Sequence, residues 1–165
     1  MNINSIKSVI RQIFALVIFG IEGGAYAGEV TLCQPHEEIY FSCPVGGKIV
    51  SLCASGNISP NNGYVQYRFG AVNRIELQFP GKPYPPNGYF EISDVYFGNL
   101  DYVHVKFKSG IYNYVIYQGD RSGVYVKKNG ILVSNRVCEN GVYQKLNNRV
   151  FRGIRTVPLV DGVDD

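Results

Sequence analysis

The sequence predicts an all-β fold, an antiparallel meander of about eight to ten strands that closes as a barrel or as a two-sheet sandwich. Short segments with alternating apolar and polar residues recur along the chain, and few helical patterns accompany them. Tyrosine is abundant, with 13 residues, whereas tryptophan is absent. In addition, 19 glycines and 8 prolines separate the segments at close intervals. Consecutive hairpins favour a meander, which closes as a barrel or sandwich in a chain of this length.

The first residues of the chain are typical of a secretory signal peptide. Lys7 and Arg11 supply positive charge, residues 13–21 are apolar apart from one glycine, and the A-Y-A sequence at residues 25–27 is a cleavage site. An apolar run of about nine residues is too short for a membrane-spanning helix, which needs about 20. We therefore predict a signal peptide at residues 1–27 and an exported, periplasmic or extracellular product without an anchor.

The remaining residues 28–165 are predicted to form a single β domain. This length is sufficient for one domain with its own core. The formal charge of the whole chain is +3, and losing Lys7, Arg11 and Glu22 with the signal peptide leaves +2. A charge this small gives no reason to expect a nucleic-acid partner.

All four cysteines lie in the predicted domain, at Cys33, Cys43, Cys53 and Cys138. An even number in an exported chain predicts two disulfides. The chain has no C-x-x-C pair and its two histidines are far apart, so we expect no metal and no other cofactor. A hairpin through Gly46-Gly47 keeps Cys43 and Cys53 too far apart to bond. Two pairings remain, Cys33–Cys43 with Cys53–Cys138, for which we have a slight preference, and Cys33–Cys53 with Cys43–Cys138.

Four hairpins are predicted in chain order. The first joins residues 39–43 to residues 48–53, and the second joins residues 64–69 to residues 74–79. The third joins residues 102–108 to residues 111–117 across Ser109-Gly110, which sets Phe107 opposite Tyr112. One face of that hairpin is then apolar and aromatic, while the other carries His104, Lys106 and Asn113. The fourth turns on Asn129-Gly130, a strong hairpin dipeptide, and sets Val126 opposite Val133. Weaker strand patterns lie near residues 89–92 and 95–97.

Two further segments have a distinct character. Residues 79–89 carry four prolines, so they cannot form a strand, and they present Lys82 and Tyr84 on what we expect to be a stiff, exposed loop. Near the C-terminus, apolar residues between 142 and 151 recur at near-helical spacing and predict a short helix. The acidic residues that follow, to Asp165, are expected to be frayed.

The sequence contains none of the common catalytic motifs. There is no G-x-S-x-G, H-E-x-x-H, P-loop or dinucleotide-binding sequence, and we predict a binding protein rather than an enzyme. The candidate partner-binding residues are exposed or cationic side chains with the chemistry of interface anchors. They are Lys82 and Tyr84 in the proline-rich loop, followed by Arg68, His104 and Arg121.

The block F-S-C at residues 41–43, K-I-V-S-L-C-A-S at residues 48–55 and G-Y-V-Q-Y-R-F-G at residues 63–70 resembles a group of small exported proteins of Gram-negative bacteria. The resemblance covers about 30 residues and implies a periplasmic location. In general form the chain is also similar to periplasmic lysozyme inhibitors and to toxin-immunity proteins. This similarity implies a periplasmic protein that neutralises a cell-envelope hydrolase of the lysozyme, amidase or lipase type by occluding its active site.

Two other functions stay open at this point. The first alternative is a structural or accessory component of the envelope or of a secretion system, which an exposed, apolar edge strand would favour through strand addition. The second is an unrecognised hydrolase, which would require carboxylates or a histidine gathered around a pocket.

Overall fold

The computed structural model describes residues 30–97, 100–139 and 141–165, so the predicted signal peptide lies outside the described residues. Within the described part, two separate β-sheets pack face to face as a sandwich. This arrangement confirms the predicted all-β meander, and it selects the sandwich over the barrel. No helix in that part of the chain is long and apolar enough to cross a bilayer.

The first half of the domain forms a four-stranded antiparallel sheet in sequence order. Its strands are β1 (Glu38–Val45), β2 (Lys48–Ala54), β3 (Val65–Ala71) and β4 (Arg74–Phe79). The segment after residue 138 covers the free edge of β1, because Ser42 and Gln144 exchange two backbone hydrogen bonds there. The opposite edge of this sheet is β4.

The second half forms a six-stranded sheet in the order β10-β5-β6-β7-β8-β9. Its strands are β5 (Glu91–Phe97), β6 (Leu100–Ser109), β7 (Tyr112–Gln118), β8 (Ser122–Lys128), β9 (Ile131–Val137) and β10 (Arg155–Thr156). The two weak patterns near residues 89–97 belong to the single strand β5. The predicted C-terminal helix is one turn, α1 (Val150–Gly153), and it leads into β10, which pairs parallel to β5.

The predicted hairpins form, and two of them differ in register from the prediction. In the β6–β7 hairpin the turn is Gly110-Ile111, so Phe107 lies opposite Tyr114 rather than Tyr112. Gly110 has φ +61° and takes the first central position of the turn, where only a residue that tolerates positive φ fits. Because opposite partners change by two residues, every side chain stays on its predicted face.

The β8–β9 hairpin turns at Asn129-Gly130 as predicted, with positive φ at both residues. However, the predicted pairing of Val126 with Val133 is wrong, since Val126 lies opposite Ser134. A β-bulge inserts one extra residue into β9 after the first two pairs and moves the later pairs by one position.

Aromatic side chains from both sheets meet in the core. The Phe107 ring stacks between Phe79, at 4.5 Å between ring centroids, and Tyr114, at 4.8 Å. Tyr67 packs against the same ring at 4.9 Å. The predicted apolar face of the β6–β7 hairpin is therefore the face that the four-stranded sheet covers.

The disulfides are Cys33–Cys53 and Cys43–Cys138. The exclusion of Cys43–Cys53 is confirmed, but our preference between the two remaining pairings was wrong. Cys53 shares the outer face of β2 with Ser51, and residues 30–33 run along that face, since the Leu32 N–H donates to Ser51 Oγ at 2.9 Å. Cys43 instead belongs to the core, against which Cys138 packs.

Candidate functional site

The proline-rich loop at residues 79–90, which we call the tyrosine loop, is braced at both ends. The Gln66 amide donates to Pro80 O at 2.9 Å, and the Gln78 amide donates to Gly81 O at 3.1 Å. Further along, the Asn87 N–H donates to Pro60 O at 3.1 Å, which ties the tyrosine loop to the neighbouring loop at residues 55–63. These bonds fix the backbone of the loop against the body of the domain.

The exposed part of the tyrosine loop carries two stacked aromatic rings. Tyr84 lies on Tyr89 with ring centroids 5.6 Å apart and planes within 4° of parallel. The two side chains stay 43% and 37% exposed, and Lys82 beside them is exposed. A ring that is already stacked in the free protein loses little rotamer freedom when a partner covers it.

A groove opens beside Tyr89, between the tyrosine loop, the β6–β7 hairpin and the C-terminal segment. Its volume is about 310 Å³. Lys106 and Lys108 supply positive charge to its wall, while Val160 and Val163 form the apolar side. The tyrosine loop and the groove thus form a continuous surface.

The C-terminal segment at residues 155–165, which we call the strap, crosses the outer face of the six-stranded sheet. Its anchor is Asp164, whose side chain is 2% exposed. The carboxylate accepts hydrogen bonds from Lys106 Nζ, from the Val160 N–H at 2.8 Å and from His104 Nδ1 at 2.9 Å. The expectation of a frayed tail is therefore wrong, because buried cations on the sheet hold the tail in place.

A second set of contacts holds the end of the strap over β8. Lys127 Nζ bonds the backbone oxygen of Asp165 and lies 3.0 Å from its carboxylate. The Tyr125 hydroxyl donates to Val163 O at 2.8 Å. The strap begins beside β5 and ends above β8, so it spans most of the sheet.

The outer face of the four-stranded sheet also carries a buried ion pair. Arg68 makes a two-pronged ion pair with Glu37, at 2.6 and 2.7 Å, and their side chains are 5% and 1% exposed. The guanidinium also donates to Leu32 O and to the side chains of Gln66 and Gln78. All five Arg68 donors therefore have partners inside the protein.

Burial alone would raise the pKa of Glu37. The hydrogen bonds from Arg68, from the Gln34 N–H and from Tyr64 outweigh burial, so this pKa lies below its ordinary value. Glu37 also lies within 4.8 Å of the sulfurs of Cys33 and Cys53, a cluster that has the composition of a metal site. However, the sulfurs are bonded to each other and the carboxylate is bound to Arg68, so no thiolate is present to bind a metal.

The structure distributes the five candidate partner-binding residues over different environments. Lys82 and Tyr84 lie together on the exposed tyrosine loop. Arg68 and His104 are covered by the two terminal segments, so a partner does not reach them while those segments are in place. Arg121 is exposed in the β7–β8 turn, at a separate cavity of about 410 Å³ near Cys138.

Sequence reasoning missed Glu37, Ser93 and Asp164 as members of polar clusters. One signal was present, because Arg68 and Lys106 lie in the middle of strands, where a buried cation needs an acidic partner. Acidic residues near the two ends of the domain are the available partners. Sequence alone does not tell which terminal acid reaches which strand.

Ser93 and Lys106 have the separation of a nucleophile and its base, since Lys106 Nζ lies 2.6 Å from Ser93 Oγ. Here the ammonium donates to Ser93 Oγ and to Asp164, so it has no electron pair with which to take the serine proton. Ser93 is also completely buried. In this arrangement the pair anchors the strap and does not activate the hydroxyl.

We expect Asp164→Asn to lower stability at neutral pH and to flatten its pH dependence. Burial raises the pKa of Asp164, but hydrogen bonds from His104, Lys106 and the Val160 N–H outweigh it and hold this pKa well below its ordinary value. A carboxyl whose pKa is depressed by folding stabilises the protein above its unfolded pKa of about 4, and that contribution is lost as the pH falls further.

Urea unfolding at pH 7, 5 and 3 measures this effect. At pH 7 the variant should be less stable than the wild type by about 1.5–3 kcal/mol, the range for a hydrogen bond to a charged group. Between pH 5 and pH 3 its free energy of unfolding should fall by less than that of the wild type. Asp161→Asn, at an exposed acid of the same strap, should match the wild type throughout. Equal pH slopes for Asp164→Asn and the wild type would contradict the assignment.

The chain was compared with protein-family models, with curated proteins and with solved structures. None of the three comparisons found a match, and the function is therefore inferred from the tyrosine loop, the groove and the strap.

Proposed function

We propose that the protein is a periplasmic binding protein that neutralises a cell-envelope hydrolase by inserting the tyrosine loop into its active-site cleft. The observation that carries this proposal is the braced, exposed stack of Tyr84 on Tyr89. Aromatic anchors of this kind supply most of the binding energy in many protein interfaces. Bracing reduces the entropy lost on binding, because the loop is already in one conformation.

Charge narrows the class of hydrolase that the tyrosine loop suits best. Lys82 lies two residues from Tyr84 and is exposed. A lysozyme-type glycoside hydrolase holds two carboxyl groups in its cleft, and a cation on the same loop as the aromatic anchors complements them. The predicted signal peptide and the two disulfides support an exported location, where such enzymes act on the cell wall.

The test is capture of a partner from a periplasmic extract of a Gram-negative bacterium on the immobilised chain without residues 1–27, followed by mass spectrometry. We expect a stoichiometric hydrolase, and we expect Tyr84→Ala to weaken its binding by at least 30-fold, the loss typical of an interface hot spot. Tyr112→Ala is the matched control, since Tyr112 has a similar exposed fraction of 37% but lies on β7. If no hydrolase is retained at micromolar concentration, or if Tyr84→Ala binds as the wild type does, the proposal is wrong.

A second candidate function is favoured by the edge strand β9. Within the described chain β9 pairs only with β8, and Ile131, Leu132 and Val133 are between 53% and 70% exposed. An open, apolar edge can accept a strand from another protein, as in an accessory component of an envelope assembly. In the same capture experiment, this function predicts that Leu132→Lys loses the partner whereas Tyr84→Ala keeps it.

A further inference from the structure

The strap is attached to the sheet mainly by charge and hydrogen bonds. Its regular pairing is limited to the two residues of β10, and Leu159 and Val160 keep about half of their surface exposed, at 52% and 43%. Segments that bury little apolar surface open more readily than the core to which they are attached. The strap is therefore the part of the domain best placed to detach without unfolding the sandwich.

Detachment would uncover an unusual surface on the outer face of the six-stranded sheet. The side chains of His104, Lys106 and Lys127 are only 11%, 6% and 8% exposed, and their acidic partners Asp164 and Asp165 both belong to the strap. Without the strap, two ammonium groups and an imidazole would share one face, with Glu91 of β5 opposite Lys106 as the neighbouring acid. A group of positive charges on one uncovered face attracts an anion, so this face would bind one.

The strap itself shows which chemistry the surface recognises. It presents two successive carboxylates, one to Lys106 and His104 and the other to Lys127. It also presents a backbone carbonyl to the Tyr125 hydroxyl and a backbone N–H to Ile92 O. The site therefore contacts both the carboxylates and the backbone of a peptide that forms a turn at residues 161–163.

We propose that the sheet face formed by Ser93, His104, Lys106, Tyr125 and Lys127 is a receptor for an acidic peptide segment of a partner protein, and that the strap occupies this receptor in the free protein as an intramolecular competitor. The strap covers the receptor in the free protein, whereas the rings of the tyrosine loop stay exposed, so the proposal does not depend on the function proposed above. Charge complementarity between the two lysines and the Asp164-Asp165 pair identifies the ligand class.

The experiment measures the binding of a fluorescein-labelled synthetic peptide with the sequence of residues 156–165 to the chain, by fluorescence anisotropy. The tethered strap competes at a high effective concentration, so the wild type should bind the peptide weakly. The variant Asp164→Ala, whose strap has lost its anchor, should bind it at least 10-fold more tightly. Adding Lys106→Met to that variant should abolish the gain, and a peptide with asparagine in place of both final aspartates should not bind.

A second measurement keeps the test decisive if Asp164→Ala unfolds the domain. In the wild type, excess peptide should speed hydrogen exchange at the Val157 amide, which donates to Ile92 O only while the strap is in place. Exchange at the Val105 amide in β6 should not change. The proposal is overturned if a folded Asp164→Ala chain gains no affinity, if the asparagine peptide binds equally well, or if peptide leaves strap exchange unaltered. It is also overturned if the variant instead dimerises on size exclusion, which would assign the receptor to a second copy of the chain.

Discussion

Replacing Arg68 with methionine is expected to lower the free energy of unfolding by about 3–5 kcal/mol, the range for removing one partner of a buried ion pair. The substitution leaves the Glu37 carboxylate, with 1% exposed side chain, without its cation. It also removes the donors for Leu32 O, Gln66 and Gln78 in the same cluster. Urea unfolding at pH 7, followed by far-ultraviolet circular dichroism, measures the loss.

Two further variants separate the buried charge from the size of the side chain. The double variant Arg68→Met with Glu37→Gln should recover much of the loss, because it removes both buried charges together. Arg74→Met is the matched control, since Arg74 lies on the adjacent strand, is paired with Glu76 and has a side chain that is 78% exposed. That control should stay within about 0.5 kcal/mol of the wild type. A cost for Arg68→Met no larger than that of Arg74→Met would show that the buried pair contributes little.

Removing the Cys43–Cys138 disulfide by replacing both residues with alanine is expected to cost about 4–5 kcal/mol, from the loop-closure entropy that the bond removes from the unfolded chain. The residues it joins are 95 positions apart, whereas Cys33 and Cys53 are 20 apart. The same relation gives about 3 kcal/mol for the Cys33–Cys53 bond. The long-range variant should therefore be the less stable of the two by about 1 kcal/mol or more.

Urea unfolding of both double-alanine variants, in the absence of reductant, compares the two losses directly. Cys43 and Cys53 are both fully buried, so the cavity that alanine leaves lowers the stability of both variants, and their difference reflects loop length. The opposite order, with the Cys33–Cys53 variant less stable, would mean that holding residues 30–33 on the sheet matters more than loop length. In that case the Arg68–Glu37 pair would also be expected to open in that variant.

The hairpins were the part of the fold most open to prediction from sequence. Gly46-Gly47 and Asn129-Gly130 allow the positive φ values that tight turns need, and both turns are where the sequence placed them. The bulge at Val133 in β9 was not predictable, because the turn residues determine only the first pairs of the hairpin. The disulfide pairing depends on which face of β2 the segment at residues 30–33 covers. Hairpin geometry alone does not determine the path of that segment.

The site was predictable only in part. Prolines, Lys82 and Tyr84 identified the tyrosine loop, because stiffness and exposure can be read from residue types. The position of the strap on the sheet could not be predicted, since its acidic residues are far in sequence from the cations that bind them. An ion pair, unlike a helix or a strand, leaves no periodic pattern in the sequence. Arg68 and His104 were predicted to bind a partner because their side chains suit an interface. In the structure these two side chains instead hold the terminal segments on the sheets.

The Cys43–Cys138 bond also determines how the domain would respond to mechanical force. A load applied between residues 30 and 165 passes from residue 43 to residue 138 through the covalent bond, so the strands from β3 to β9 carry no tension. Only about 40 residues can be drawn out, which corresponds to about 140 Å, instead of about 470 Å for the whole described chain. Under tension the strap would be pulled from the sheet, and the strands from β3 to β9 would stay outside the loaded path.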